Sequence, residues 1–372
     1  MRILMWDVHG GYTDSLVAGT HDYLFLPRDL GSRSHNGDAR SSAGASGRGG
    51  LARYGSSPPS NAYQVTAEEL RDQPPDLVLL QRLEEIELCA EHLQRRPGRD
   101  LPAIFLEHNT PKTDVPSTRH PLADEPGMVL VHVTHFNDVF WDCGSTPTRV
   151  IEHGVADPGL RYTGRLPRLA FVVNEPVRRW RVTGTDLLTR FGEFDVDAFG
   201  IDADKLPEAL ASRHERVCFA GNLSPNQLYD AMAERRIYLH LNRWTSLGLS
   251  LIQAMMLGMP VVVLDTTDVS RAVPARAGAR STDVTELVTA SRALLNDPHE
   301  ALRRGLIARR AALDRYGLPR FLHDWDLAFK ETAETALRAP QASQAVASPG
   351  AGAGARREIS RRRSGSTARA AP

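Results

Sequence analysis

Twice along this chain short apolar runs alternate with stretches of helical period, and the doubled alternation restricts the fold more than any other feature. In the first half, Arg2–Trp6 reads as a buried strand, Asp7–Gly11 as the turn after it, and Asp76–Leu80 as a strand entered from two prolines. The periodicity predicts helices over Leu83–Leu93 and Phe136–Trp141, and strands over Ala103–Leu106, Met128–Val133 and Arg149–Ile151. The pattern then restarts. Strands are expected at Leu169–Val173, Val196–Phe199, Arg216–Phe219, Ile237–Leu241 and Pro260–Leu264, the last built from β-branched residues. Helices are expected between them at Thr185–Phe191, Pro225–Arg235 and Leu249–Leu257, then at Val284–Asn296, Pro298–Tyr316 and from about Pro319 to Leu337. Strand, helix, strand alternation demands a parallel sheet covered on both faces. Two such runs predict an α/β chain of two doubly wound, Rossmann-like domains facing each other across a cleft, with the boundary near Pro158–Pro167.

Length agrees: 372 residues are too many for a typical single domain and suit two. Acidic and basic side chains balance at 45 each, which argues against an electrostatic trap for nucleic acid. Cys89, Cys143 and Cys218 are widely spaced and odd in number, so neither a disulfide framework nor a CxxC metal knuckle is expected. Strand-like residues begin at once, no signal peptide is visible, and the longest apolar runs, such as Pro260–Leu264, are too short to span a bilayer. The expectation is a reduced, cytoplasmic protein of two domains. From about Leu30 to Asn61 the chain turns to Gly, Ser, Arg and Ala, which reads as a disordered insertion loop. After Ala339 it does so again and ends in a basic stretch, Arg356–Arg363. The tail reads as solvated and disordered, with a weak, salt-sensitive anchor for anionic lipid or nucleic acid as the sharper alternative.

The most informative segment runs from Tyr238 to Val263. A strand ends near Leu241, a polar loop carries Gly248, and a helix begins near Leu249. A small residue there lets a ligand approach the backbone, and the first free N–H groups of the helix form an anion site of the kind that holds a diphosphate. The helix should stop at Gly258, a suitable C′ residue, with Pro260 opening the next strand. Gln253 lies one turn beyond the helix start, within return reach of the same ligand.

This segment resembles the signature of family-4-type retaining glycosyltransferases (glycosyl transferases group 1), which have the GT-B fold. Gly248, Leu249, Ala254, Met255, Gly258, Pro260 and Val261 stand at the matching places. The resemblance implies that the backbone around Thr245, Ser246, Leu247, Gly248 and Leu249 binds the donor phosphates and sugar, with Gln253 on the ribose. Thr245 stands where the family has a Glu on the sugar hydroxyls, and Gln253 where it has a second Glu. Gln keeps length and hydrogen-bonding capacity without the charge; Thr is much shorter. Glu107–Asn109 resembles a strand end that carries the family's His at the cleft, implying a catalytic or sugar-orienting role for His108. Thr148–Val155 resembles the strand and turn before the interdomain linker. Arg178–Leu188 resembles an Arg-x4-Lys-Gly phosphate clamp: Arg178 and Gly184 match, Thr183 replaces the Lys, and Arg181 or Arg179 is left to supply the second positive charge. His9, Gly10 and Gly11 resemble the glycine-containing first loop beside the donor phosphates. On its own each of these has a plain structural reading, a satisfied histidine or a solvated basic turn.

Family membership further implies an acceptor side at 1–160, a donor side at 161–318, and a last helix, 319–338, that crosses back onto the first domain. It implies retention at the anomeric carbon without a metal or other cofactor. The partners implied are a nucleotide-sugar donor and an unknown small-molecule, lipid or glycan acceptor. Asp195-Val-Asp197 has a metal-binding DxD spacing, but leads into a predicted strand and reads as a strand entry. His132 and His135 lack a nearby third ligand in sequence. No GxxxxGK[ST], GxSxG or HExxH occurs, which removes ATPase, serine hydrolase and zincin readings. A dinucleotide-binding oxidoreductase is a weaker reading, since doubly wound domains also bind NAD; the absence of a GxGxxG after the first strand argues against it. The substitutions at 183, 245 and 253 keep one rival: a non-catalytic glycosyltransferase-like protein that binds a nucleotide sugar or a partner.

Overall fold

The computed structural model describes residues 1–27, 51, 58–211 and 213–338. In the first domain, β1 (Arg2–Met5), β2 (Asp22–Phe25), β3 (Ala62–Gln64), β4 (Leu77–Leu80), β5 (Ala103–Glu107), β6 (Met128–His132) and β7 (Thr148–Val150) form one parallel sheet. Its order is β3-β2-β1-β4-β5-β6-β7. Helices α1 (Gly10–Val17), α2 (Ala67–Asp72), α3 (Glu84–Leu93) and α4 (His135–Phe140) connect these strands. The second domain repeats the plan with β8 (Leu166–Val172), β9 (Val196–Phe199), β10 (Val217–Gly221), β11 (Arg235–His240), β12 (Val261–Leu264) and β13 (Gly278–Ser281). They pair in the order β10-β9-β8-β11-β12-β13. Its helices are α5 (Leu206–Leu210), α6 (Pro225–Glu234), α7 (Leu249–Met256), α8 (Val269–Ala272), α9 (Val284–Asn296) and α10 (Pro298–Tyr316). A last helix, α11 (Leu318–Arg338), closes the described chain.

Strands buried on both faces explain the continuous apolar runs. Along β1, Ile3 and Met5 point into one core while Leu4 enters the other; along β4, Leu77 and Leu79 part from Val78 and Leu80 in the same way. α11 is last in sequence yet belongs to the first domain, since Phe321, Trp325 and Phe329 share a core with Ile3, Met5 and Leu79. The crossing is pinned at the linker, where Arg320 donates to the carbonyls of Glu152 and His153, and the Val155 N–H donates to the Tyr316 carbonyl.

In both sheets strand order reverses direction at one place, between β1 and β4 and between β8 and β11. Adjacent connections there leave to opposite faces, which opens a crevice at the carboxyl ends of the strands. The turns after β1, β4, β8 and β11 therefore line the two crevices from which a site can be built.

Some local expectations differ. Asp7–Gly11 is not only a turn, because α1 already begins at Gly10. Thr185–Phe191 is a 3-10 segment rather than an α-helix, entered from Gly184 with φ at +69°. β2, β3 and β13 had no strand expectation; β3 and β13 are edge strands of three and four residues, too short for a readable alternation. Most of the expected loop at 30–61 and all of the tail from 339 lie outside the described residues. Where that loop ends, Asn61 is anchored, its side-chain amide donating to the carbonyls of Val17, Gly19 and His21. Among the described residues no helix is long and apolar enough to cross a membrane.

Candidate functional site

Strand β11 ends at His240, and the chain runs through Leu241–Leu247 before α7 starts at Leu249 with Gly248 as its N-cap. No side chain caps that helix, so its first N–H groups have no capping partner and the positive end of the helix dipole is presented at the crevice. Gly248 is required from below as well: a Cβ there would stand 2.9 Å from Cε1 of the buried His240. The far end of α7 holds the near end in place. Gly258 takes φ +89°, its N–H donates to Met255 and that of Met259 to Ala254, which is a Schellman stop.

The first domain supplies a second helix start. α1 begins at Gly10 after His9 and likewise has no side-chain cap. Gly10 and Gly11 are exposed, and a Cβ on Gly11 would lie 3.7 Å from Cδ1 of Leu249. Two uncapped helix N-termini, one from each domain, thus meet across the cleft.

Beside them lies a group of rings. His108 follows β5, its ring 4.2 Å from His9 and 4.9 Å from Tyr12 between centroids, and Tyr12 is 5.8 Å from His153. Nε2 of His108 is 3.1 Å from Oε1 of Gln81, whose Nε2 donates to the Trp6 carbonyl at 2.9 Å. A carbonyl only accepts, so Gln81 must turn its NH2 to Trp6 and its oxygen to His108. His108 therefore carries its proton on Nε2 and keeps Nδ1 as an acceptor. Burial pushes the His108 pKa well down, and His9 and His153 push the same way, so the ring is neutral near pH 7. His153 is buried with no well-formed hydrogen bond at either nitrogen. Its pKa falls to about 4, chiefly by burial, and the nearby Leu247 backbone offsets part of that.

The remaining expected residues sit around this centre. Leu247 is buried, while Thr245, Ser246 and Gln253 are half-buried. Thr245 Oγ1 is 3.4 Å from Asn242 Nδ2, and the Gln253 amide donates to the Tyr229 hydroxyl at 3.0 Å. The arginine turn after β8 lies against the same loop: a Cβ on Gly184 would stand 1.9 Å from the Leu241 carbonyl oxygen, and the Arg243 N–H donates to the Val182 carbonyl. Arg178 is exposed and doubly bonded to Glu175, and Arg181 is exposed and bonded to Asp186, which also holds Arg243. Arg179 differs. It is half-buried, burial lowers its pKa, and no carboxylate pairs with it within 4.0 Å among the described residues. Gly10, Gly11, His108 and the 247–249 backbone are therefore brought together, whereas Arg178 and Arg181 are already neutralised by carboxylates. His9, Tyr12 and His153 join the site from tertiary placement; His9 and His153 lie in segments quoted above, but nothing in their spacing marks them. The DxD pair has a structural use, since both carboxylate oxygens of buried Asp197 bind Arg168 and Arg235.

Residues 188–297 match the family model described as "Glycosyl transferases group 1". No curated protein matches the chain in sequence. Among solved structures, sucrose-phosphate synthase from Thermosynechococcus elongatus is similar at TM-score 0.65 and 13% identity, covering 90% of this chain and 100% of that one. Anabaena Alr3699/HepE, in complex with UDP and glucose, gives 0.62 at 12% identity, covering 88% and 99%. S. aureus TarM, in a complex that includes UDP, gives 0.55 at 13% identity; the match takes in 71% of this chain and 58% of TarM. These likenesses, at the level of fold, and the matched segment agree on one architecture. The chain has the GT-B fold, and its residues 188–297 carry the match to the group 1 glycosyl transferases.

Proposed function

We propose that this protein transfers a sugar from a nucleotide-sugar donor to an acceptor hydroxyl, with retention and without a metal. The observation that carries the reading is the meeting of two uncapped helix N-termini, α1 and α7, at Gly11 and Leu249. Cleavage of a nucleotide sugar leaves a diphosphate on which negative charge grows in the transition state. Fixed N–H groups and helix dipoles aimed at that charge lower the barrier without reorganising. Arg179, which has no carboxylate within 4.0 Å among the described residues, adds a cation from the same turn, while Arg178 and Arg181 must exchange a carboxylate for phosphate. His108 presents Nδ1 as an acceptor for a sugar hydroxyl, which orients the donor. Gln253 and Thr245 face ribose and sugar in this reading, and the first domain receives the acceptor. UDP is the first nucleotide to try, because the HepE and TarM structures hold it. Such a reaction would draw on a cytoplasmic nucleotide-sugar pool, and the reading puts the protein in that compartment.

A non-catalytic nucleotide-sugar binder is the second reading, favoured by the Gln253 amide already bonded to Tyr229. Calorimetric titration with UDP, GDP, ADP and TDP tests the first. One nucleotide is expected to bind saturably, and Arg179→Ala to weaken it by about 2 kcal/mol, a charge-assisted hydrogen bond lost. Gln253→Glu should preserve binding. Absence of binding by all forms removes the donor site. Binding without any release of sugar from the matching donor selects the second reading.

A further inference from the structure

The loop before α7 does more than carry Thr245–Gly248: it reaches into the other domain. Trp244 donates its indole N–H to the Pro111 carbonyl at 2.6 Å. Its ring meets the edges of Phe136 and Phe140 on α4, at 5.2 and 5.8 Å, and those two rings stack on each other at 4.3 Å. Pro111 belongs to the segment that leaves His108, and that segment is itself braced, since the Asn109 carbonyl accepts from Trp141 and Asn137. Behind Trp244 the backbone is tied to the arginine turn, because the Arg243 and Trp244 N–H groups both donate to the Val182 carbonyl. Through its side chain and its backbone together, Trp244 therefore joins three pieces of the candidate site: the turn with Arg178–Arg181, the loop into α7, and the strand exit with His108.

We propose that Trp244 is a positioning residue, an interdomain latch that holds the loop before α7 in register with the His108 segment and so keeps the cleft closed. A half-buried indole suits this task. Its edge contacts are gained only in the closed arrangement, and its N–H fixes one orientation through the Pro111 carbonyl. Opening the cleft exposes the Phe136–Phe140 pair and leaves the indole N–H to water, so the latch biases closure rather than locking it. The consequence for catalysis rests on the nucleotide-sugar reading; the latch and its test do not.

Cys218 is exposed in the second domain while Cys89 and Cys143 are buried, and Glu84 is exposed at the start of α3 in the first. Spin labels on Cys218 and on Glu84→Cys report interdomain distance in the full chain without nucleotide. Trp244→Phe keeps an aromatic ring but loses the donor, and should lower the closed-to-open ratio about fivefold, the scale of one hydrogen bond. Phe136→Ala, made from the opposite domain, should open the chain too, and should add little on top of Trp244→Ala because the two remove one contact. Wild-type distance distributions in both Trp244→Phe and Phe136→Ala overturn the latch, whether or not Trp244→Ala folds. A UDP titration of the wild type then separates the two ideas. Shifted distances with no UDP binding leave the latch and remove the nucleotide reading; unshifted distances with UDP binding do the reverse.

Discussion

His132, His153 and His240 are each at least 96% buried, with pKa values lowered from 6.5 to about 4 by that burial. All three stay neutral in the folded chain and regain ordinary proton affinity on unfolding. Their contribution is complete above about pH 6.5, is lost as pH falls from there, and levels off near 4. Asp268 acts in the opposite sense. Burial, and then Glu152, raise its pKa from 3.8 to about 6, so it costs stability above pH 6 and that cost fades as pH falls. The histidines outnumber it, so urea melts should show these four groups together destabilising the chain between pH 6.5 and 4. His153→Gln isolates one of them. The gap between wild type and variant should be about 2 kcal/mol narrower at pH 5 than at pH 7.5; a constant gap would mean that His153 binds its proton equally well in the folded and unfolded chain. Sequence reading reaches glycines more easily than such histidines. Gly258 is legible because a helix stop demands a positive φ from the local chain alone. His153 acquires its character from Tyr12 and the Leu247 backbone, which are 141 and 94 positions away.

Elements were legible where local signals were strong: β4 and β12 as apolar runs, and α7 with its glycine N-cap and Schellman stop. β3 and β13 were not, because an edge strand of three or four residues buries too little to imprint a pattern. α1 was read as a turn because two glycines open it; Thr13, Leu16 and Val17, buried on its inner side, supply what propensity lacks. The site depends on how these elements pack. α10 approaches the end of α7 so closely that a Cβ on Gly305 would stand 1.9 Å from the Gly258 carbonyl oxygen and 3.2 Å from the Met259 carbonyl carbon. Those are backbone atoms of the Schellman stop, so neither side can give way by rotating a side chain. Gly305→Ala should therefore cost about 3 kcal/mol in a denaturant melt, despite the better helix propensity of alanine. Because the shift is transmitted along α7, nucleotide affinity should fall with it. A variant as stable as wild type would show that α10 can move off without cost.

At the scale of the whole molecule, the two sheets were predictable from alternation, but the return of the chain to its first domain is a tertiary event. α11 begins right after α10, yet its Phe321, Trp325 and Phe329 are fully buried against β1 and β4 residues more than 240 positions earlier. Trp325 also donates to the Tyr12 hydroxyl at 3.0 Å, and Tyr12 is the ring that His108 and His153 meet edge-on. The first domain's core is thus incomplete until the last helix arrives, and the same contact steadies the histidine side of the cleft. Trp325→Ala deletes a large side chain from a dry core and should destabilise the chain by about 4 kcal/mol. The loss should be uneven. Hydrogen exchange should speed up in β1, β4 and β5 well before β11 and β12, because the second domain's cores contain no α11 residue. Equal loss of protection in both domains would mean that the chain unfolds as one cooperative unit. Faster exchange confined to α11 itself would show that the helix only straps onto a domain already complete without it.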